Sequence, residues 1–403
     1  MEYKRILVDL FKAYYDARKH KRQTVSAMVF ELNYETNLFK LGRELADGSY
    51  EVGRSICFIC FKPLQREIFA ADFRDRIIHH LIFNYINRIF ERLFVNDSYS
   101  CQRGKGTSYG IKRLDHFIRS CSLNYKQDCY VLKLDIKGYF MSIDKNILYQ
   151  KLETKINNSK DNKKFDRVWL LALIHKIIFH DPTKNCVIKG VKEDWSGLPR
   201  SKSLFGAPVN KGLPIGNLTS QLFGNIYLDD FDHFIKHRLG CRYYGRYVDD
   251  MVIVHQDKEY LKSVIPIIRK YLKDELSLDL HPKKIYLQHF TKGVPFLGSI
   301  IKPYRMYIRN GTKGNLYNNI QYWNGVLKES GDKFPEEHQD KFMASLNSHL
   351  GMTANFQTYR LRRKILTDRL SPDFKKFIHI ADDYGKIFLN ERDIIAINKV
   401  KNI

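Results

Sequence analysis

Cysteine is sparse and without pattern in this chain. Seven cysteines in 403 residues are an odd number with no disulfide-like spacing. Cys57-Phe58-Ile59-Cys60 is a lone CxxC inside an apolar run, with no second CxxC or nearby His pair to complete a zinc site. All seven read as reduced and mostly packed. Long hydrophobic runs are also missing. Nowhere do 18 apolar residues follow one another, so no membrane-spanning helix is expected. Met1-Glu2-Tyr3-Lys4-Arg5 has no apolar segment behind it that would make a signal peptide, and the cytoplasm is the expected compartment. No internal repeat or low-complexity segment is visible. Acidic residues are under-represented: 44 against 68 basic ones, a net charge of +24. The excess is spread along the chain, and such self-repulsion is best tolerated when the partner is a polyanion.

What is present supports more than one packed unit. The hydrophobic fraction is 44% and the aromatic fraction 13%, at a length sufficient for sizeable cores. Residues 1–20 pattern as an amphipathic helix through Ile6, Leu7, Leu10, Phe11 and Tyr14, ending in the basic run Arg18 to Arg22. A second helix is expected over about 26–46 and a strand over Ser55 to Phe61. Asp72-Phe73-Arg74-Asp75-Arg76 leads into an apolar core helix carrying His79 and His80, which read as packed or surface residues. Gly104 and Gly106 permit a tight basic turn before a helix starting near Ser108, whose N-terminus can accept a phosphate. That turn lacks the Gly-x4-Gly-Lys-Ser/Thr spacing of a Walker A loop. Asp144 reads as a helix N-cap, and Pro266 allows a kink in a helix over 259–275.

The most informative stretch is Tyr247-Val248-Asp249-Asp250. Arg242 to Tyr247 reads as one strand and Met251 to His255 as another, which puts two adjacent acids at a hairpin tip. Two such carboxylates repel unless cations neutralise them, and hard oxygens suit Mg²⁺ or Mn²⁺. A solvated acidic turn is the plain alternative. A further acid changes the balance: Tyr130 to Leu134 is a short strand running into Asp135. Carboxylates from separate strands are what two metal ions about 3.5–4 Å apart require in nucleotidyl transfer.

Together these motifs resemble the reverse transcriptase family, from about Lys62 to Gly298. The resemblance implies an α+β right-hand polymerase fold: fingers within 1–128, a palm over 129–303 with an insertion at about 153–211, and a helical thumb over 304–403. It implies that Asp135 and Asp249 bind both metals, that Asp250 supports them, and that the backbone carbonyl of Ile136 completes one shell. Lys62, Arg66 and Arg74 would hold the incoming triphosphate. Phe140, five residues after Asp135, would sit under the sugar and favour deoxynucleotides. Arg103, Lys105 and Tyr247 would lie against template or primer, and Lys283 or Lys284 would meet the pyrophosphate. Val294 to Gly298 resembles the primer grip, while Asn347 to Gly351 and Arg360 to Lys364 suit a helix bundle gripping a duplex backbone.

Gly212-Leu213-Pro214-Ile215-Gly216-Asn217-Leu218-Thr219-Ser220-Gln221 narrows the resemblance. Most reverse transcriptases have Gln where this chain has Ile215, just before Gly216. Ile-Gly-Asn-x-x-Ser-Gln is similar to diversity-generating retroelement reverse transcriptases, as is the lead-in from Trp195 to Leu204. That subgroup implies error-prone copying of a template-repeat RNA into cDNA from dNTPs, with a DNA or cDNA primer end and a small basic accessory protein. Other readings stay open: a retron or group II intron enzyme, a defence polymerase that extends without template, or a non-catalytic RNA-binding scaffold.

Overall fold

Helix α1 (Tyr3–Arg18) buries Ile6, Leu10, Ala13, Tyr14 and Ala17, the helical-period face expected of an amphipathic segment. The single helix expected over 26–46 is two, α2 (Val25–Glu31) and α3 (Tyr34–Ala46). The break falls at Asn33, whose φ of −135° is non-helical. The Asn37 side chain donates to the Phe30 carbonyl across it at 3.0 Å. The structure, a computed structural model, describes residues 3–19, 24–61, 64–160, 165–331 and 334–390. Lys62 and the basic residues His20 to Arg22 lie outside them. Two compact units result, Met1–Phe117 with Cys129–Leu287, and Ile118–Asp128 with Gln288–Ile403.

In the first unit, β1 (Ser55–Cys60) and β2 (Arg66–Ala70) form an antiparallel hairpin with Cys57 opposite Phe69. Helix α4 (Phe73–Glu91) begins at Asp72, whose carboxylate accepts the Arg74 N–H at 3.0 Å, and buries Ile77, Ile78, Leu81, Ile82, Ile86 and Ile89. Helix α5 (Thr107–Cys121) follows the glycine turn. Strand β3 (Tyr130–Leu134) leads into a short helix α6 (Tyr139–Ser142) and α7 (Lys145–Asn157). Asp144 caps α7, accepting the N–H groups of Asn146 and Ile147 at 3.0 and 3.2 Å, as its sequence position suggests. After α8 (Arg167–Phe179), the strand β4 (Cys186–Ile188) joins β1 in parallel, giving the order β2-β1-β4. Three residues are too few for an alternation pattern, which is why this strand has no signature in the sequence.

Helices α9 (Leu218–Tyr227) and α10 (Asp229–His233) precede β5 (Tyr243–Tyr247) and β6 (Asp250–His255). Helix α11 (Lys258–Leu276) runs through Pro266 and buries Leu261, Val264, Ile268, Leu272 and Leu276. With β7 (Tyr286–His289) the central sheet has the order β5-β6-β3-β7. Strands β3 and β6 pair antiparallel, Leu134 opposite Met251. Leu132, Leu134, Met251 and Ile253 are buried in the same core as the α11 residues, α4 and α9.

The second unit holds an antiparallel meander of β8 (Val294–Phe296), β9 (Ser299–Lys302) and β10 (Arg305–Ile308). Helices α12 (Asn310–Glu329), α13 (Glu336–Ala354) and α14 (Tyr359–Lys364) follow, then a small hairpin of β11 (Ile378–Ile380) and β12 (Ile387–Leu389). Their core is Leu316, Ile320, Trp323, Phe342, Leu346 and Leu350 with Phe374 and Ile387. Of the basic run at 360–364, Arg362 is buried and donates to the carbonyls of Tyr384 and Asp383 at 3.1 and 2.9 Å. It ties α14 to the chain before β12 and is not free for the expected duplex grip, while Arg360, Arg363 and Lys364 are exposed. Among the described residues no helix is long and apolar enough to cross a membrane.

Candidate active site

The β5–β6 hairpin turns in two residues. Tyr247 pairs with Asp250, leaving Val248 and Asp249 as the turn. Val248 has φ +55°, while Asp249 has no positive φ; that is the pattern of a type II′ turn, where glycine is the usual first residue. A β-branched side chain there is strained by about 1–3 kcal/mol. The register of β3 against β6 continues from Leu134–Met251 to bring Asp135 opposite Asp250. Asp135 is buried, and Asp249 and Asp250 are half-buried.

The backbone beyond Asp135 is held on its other side. The Asp135 carbonyl accepts the His281 N–H at 2.8 Å, and the Lys137 N–H donates to the Asp279 carbonyl at 2.9 Å. Ile136 sits between these bonds, bridged to Leu280. Peptide groups alternate in direction along a strand, so the carbonyl of Ile136 points to the side on which β6 lies. The same geometry separates the two lysines. Lys284 Nζ donates to Asp135 Oδ2, whereas Lys283 contributes only its backbone N–H, to the His281 ring at 3.3 Å.

Crowding of the acids has an electrostatic consequence. Burial pushes the Asp249 carboxyl up to about 7, helped by the charges of Asp250 and Asp135. Burial also raises Asp250, with Lys133 opposing, Asp135 adding to the rise and Lys284 opposing it. The donor chemistry fits hard divalent cations: three carboxylates and a carbonyl, all oxygen. Among the described residues, however, no three His, Cys, Asp or Glu side chains form a ready-made metal cage. The Lys284 ammonium supplies a positive charge beside Asp135.

A loop joined to α6, where the Phe140 carbonyl accepts the Leu213 N–H at 2.8 Å, is also zipped to the β1–β2 hairpin. The Ile215 carbonyl accepts the Phe69 N–H at 2.8 Å, and Asn217 Oδ1 accepts the Ala71 N–H at 3.2 Å. Gly216 has φ +127°, and a Cβ there would lie 2.9 Å from the Phe69 carbonyl oxygen, so both dihedral and space require glycine. Ile215 and Phe140 pack against one small cluster, Cys57, Phe69, Met141 and Leu204. Arg66 is exposed at the start of β2, on the strand face of Ile68, whose methyl also borders Gly216.

Other expected contacts lie elsewhere. Arg74 is not brought into this group. Its guanidinium pairs with Glu44 and with Asp75 (3.3 Å), donates to the Glu51 carbonyl at 3.0 Å and covers the Tyr50 ring. It is taken up in fastening α3 to α4. Lys105 donates to the Asn96 carbonyl and Gln102 at 2.7 and 2.8 Å, bracing its own turn, while Arg103 is exposed and Tyr247 half-buried. His79 is packed: burial lowers its pKa to about 3, and it bonds Thr219 at 2.8 Å.

Three buried charged residues, Glu67, Arg246 and Asp232, carry no local pattern in the sequence. Glu67 on β2 accepts from Trp195 (2.8 Å), Ser203 (2.7 Å) and the Leu204 N–H (2.5 Å), which anchors the segment before the Gly212 loop. Arg246 on β5 forms a fully buried pair with Asp232. The available signal was an ionisable residue at an inward strand position, which needs a partner that sequence does not name.

Residues 65–301, more than half of the chain, match the family described as Reverse transcriptase (RNA-dependent DNA polymerase). The chain belongs to that family, and its α+β architecture is the right-hand polymerase fold that the motifs implied. A mitochondrial nuclear intron maturase 4 from Arabidopsis thaliana is 22% identical over 219 residues, covering 54% of this chain and 23% of the maturase. Among solved structures, telomerase from Candida albicans with a fragment of telomeric RNA overlaps with a TM-score of 0.47 at 13% identity, over 87% of this chain and 59% of that one. Apo telomerase from Candida tropicalis gives 0.48 at 12% identity, over 80% and 60%. The chain thus spans less than two thirds of each of these relatives.

Proposed function

We propose that the chain is an RNA-directed DNA polymerase whose active site is built on Asp135, Asp249 and Asp250. The observation carrying this reading is the strand register that sets Asp135 opposite the hairpin acids in a family of nucleotidyl transferases. Reverse transcriptases use divalent metals, and Mg²⁺ is the proposed ion, with Mn²⁺ able to replace it. Asp135, Asp249, Asp250 and the Ile136 carbonyl would hold the metals. When bound, they supply acidification of the primer 3′-hydroxyl and neutralisation of charge on the transferring phosphate.

The protein's own groups do the rest. Arg66 binds the triphosphate, its fork matching phosphate oxygens. Phe140 lies under the deoxyribose and excludes a 2′-hydroxyl. Lys284, whose ammonium donates to Asp135, would supply positive charge to the pyrophosphate. Arg103, Tyr247 and the basic face of α14 contact template and primer. In this scheme residues 1–128 supply the fingers, 129–303 the palm and 304–403 the thumb. Primer extension on an RNA template with dNTPs and Mg²⁺ tests the proposal: the parent chain extends and Asp249→Ala does not. Extension by the variant would remove the assignment.

The finer reading is a diversity-generating retroelement enzyme that copies a template-repeat RNA with errors at adenine, assisted by a small basic accessory protein. Its support is Ile215. The backbone is locked to Phe69, so an apolar side chain without donor or acceptor stands where most relatives offer an amide. Ile215→Gln is expected to lower adenine misincorporation in sequenced cDNA, and an unchanged error spectrum would sink that explanation.

A further inference from the structure

The charge buried beneath the hairpin has no part in the chemistry above. Arg246 is 0% exposed, as is its partner Asp232. Its Nε and one terminal nitrogen donate to the two Asp232 oxygens at 2.7 and 2.6 Å. Its other terminal nitrogen donates to the Val248 carbonyl at 2.8 Å. Tyr244 adds a bond to Asp232 at 2.5 Å. Asn225 Oδ1 lies 3.4 Å from Arg246 and is itself fixed by Ser100 at 2.7 Å. Burial opposes the guanidinium charge, but Asp232 outweighs it and raises its pKa.

The Val248 bond is the informative one. It is made to the central peptide of the turn, on the residue that carries the strained φ of +55°. A trans peptide points its carbonyl and its N–H in opposite directions. With the Val248 carbonyl drawn down onto Arg246, the following N–H, that of Asp249, is turned the other way. An arginine fork holds a carboxylate bidentately and a further acceptor from fixed, coplanar donors; a lysine ammonium has three donors but only on one nitrogen at the end of a flexible stem, and cannot reproduce that geometry.

Resting on the reading of Asp249 as a metal-binding acid, we infer that Arg246 is a positioning residue. It selects the orientation of the Val248–Asp249 peptide and thereby aims the Asp249 carboxylate. Asp232 on α10 and Asn225 on α9 hold the arginine in place, so helices following the Gly216 loop set the geometry of the hairpin tip. The arginine touches no substrate in this scheme.

The test uses the full chain on a primed RNA template, with steady-state kinetics and thermal melting side by side. Arg246→Lys is expected to lower kcat about 100-fold with KM for dNTP changed less than threefold. Glycine takes a positive φ without a Cβ penalty. Adding Val248→Gly to Arg246→Lys should therefore raise kcat at least tenfold more than the same change does in the parent. Equal factors in the two backgrounds would overturn the inference, as would full activity of Arg246→Lys. If Arg246→Lys fails to fold, the pair Arg246→Met with Asp232→Leu removes both charges together. Parent-like melting with kcat still low supports positioning, and parent-like kcat overturns it. Asp249→Ala runs alongside: extension by that variant overturns the site reading and this inference with it, whereas its loss leaves the Arg246 results decisive.

Discussion

At the scale of single residues, the site is a balance between repulsion and a borrowed cation. Asp249 titrates at about 7 in the fold against about 3.9 in an unfolded chain. Between those values the folded state holds the extra proton, so stability falls as pH rises through that window. Metal-free protein should therefore show a melting-temperature gap between Asp249→Asn and the parent that widens from pH 5 to pH 8. A gap independent of pH would contradict the assignment. The lysines give a second prediction. Lys284 donates to Asp135 and Lys283 does not. Lys284→Met should lower kcat about tenfold or more, with Lys283→Met within twofold, measured as single-nucleotide incorporation. The acids themselves were readable because adjacent aspartates between apolar strands are a local pattern. The choice between the lysines was not, since it depends on a contact spanning 149 residues.

Elements meet where backbones touch. The Gly212–Asn217 loop is fastened to β2 and the residue after it through Ile215 and Asn217, with Glu67 anchoring the segment before it. Gly216→Ala would place a Cβ 2.9 Å from a backbone oxygen at a positive φ, where neither neighbour yields easily. The expected cost is about 1–3 kcal/mol in urea unfolding, with KM for dNTP raised because Ile215 moves with the loop. Unchanged stability and KM would show that the loop relaxes freely. Strand β4 and the break at Asn33 were illegible for a related reason: short elements take their state from neighbours, not from their own periodicity.

For the whole molecule, charge is the property that needs no site. A net charge of +24 predicts steep salt dependence. If about six phosphates are contacted, log affinity for a primer–template falls with log salt at a slope near −5, about a thousandfold between 50 and 200 mM. Fluorescence anisotropy across that range checks it, and a slope shallower than −2 would argue against extensive backbone contact. The excess is tolerable because acids are used sparingly and in place: Asp97 pairs with Arg113 and Lys236, and Asp230 with Lys151 and Lys155.

Sequence alone determined the acids at the ends of β3 and the hairpin, the cap at Asp144 and the net positive charge. Each of these is fixed by residue type and near neighbours. Only the tertiary structure decided that Arg74 and Arg362 are fasteners, that Lys284 and not Lys283 meets Asp135, and that Arg246 grips the turn from below. A buried charge is stable only beside its counter-charge, and which residues become neighbours is settled by packing across the whole chain.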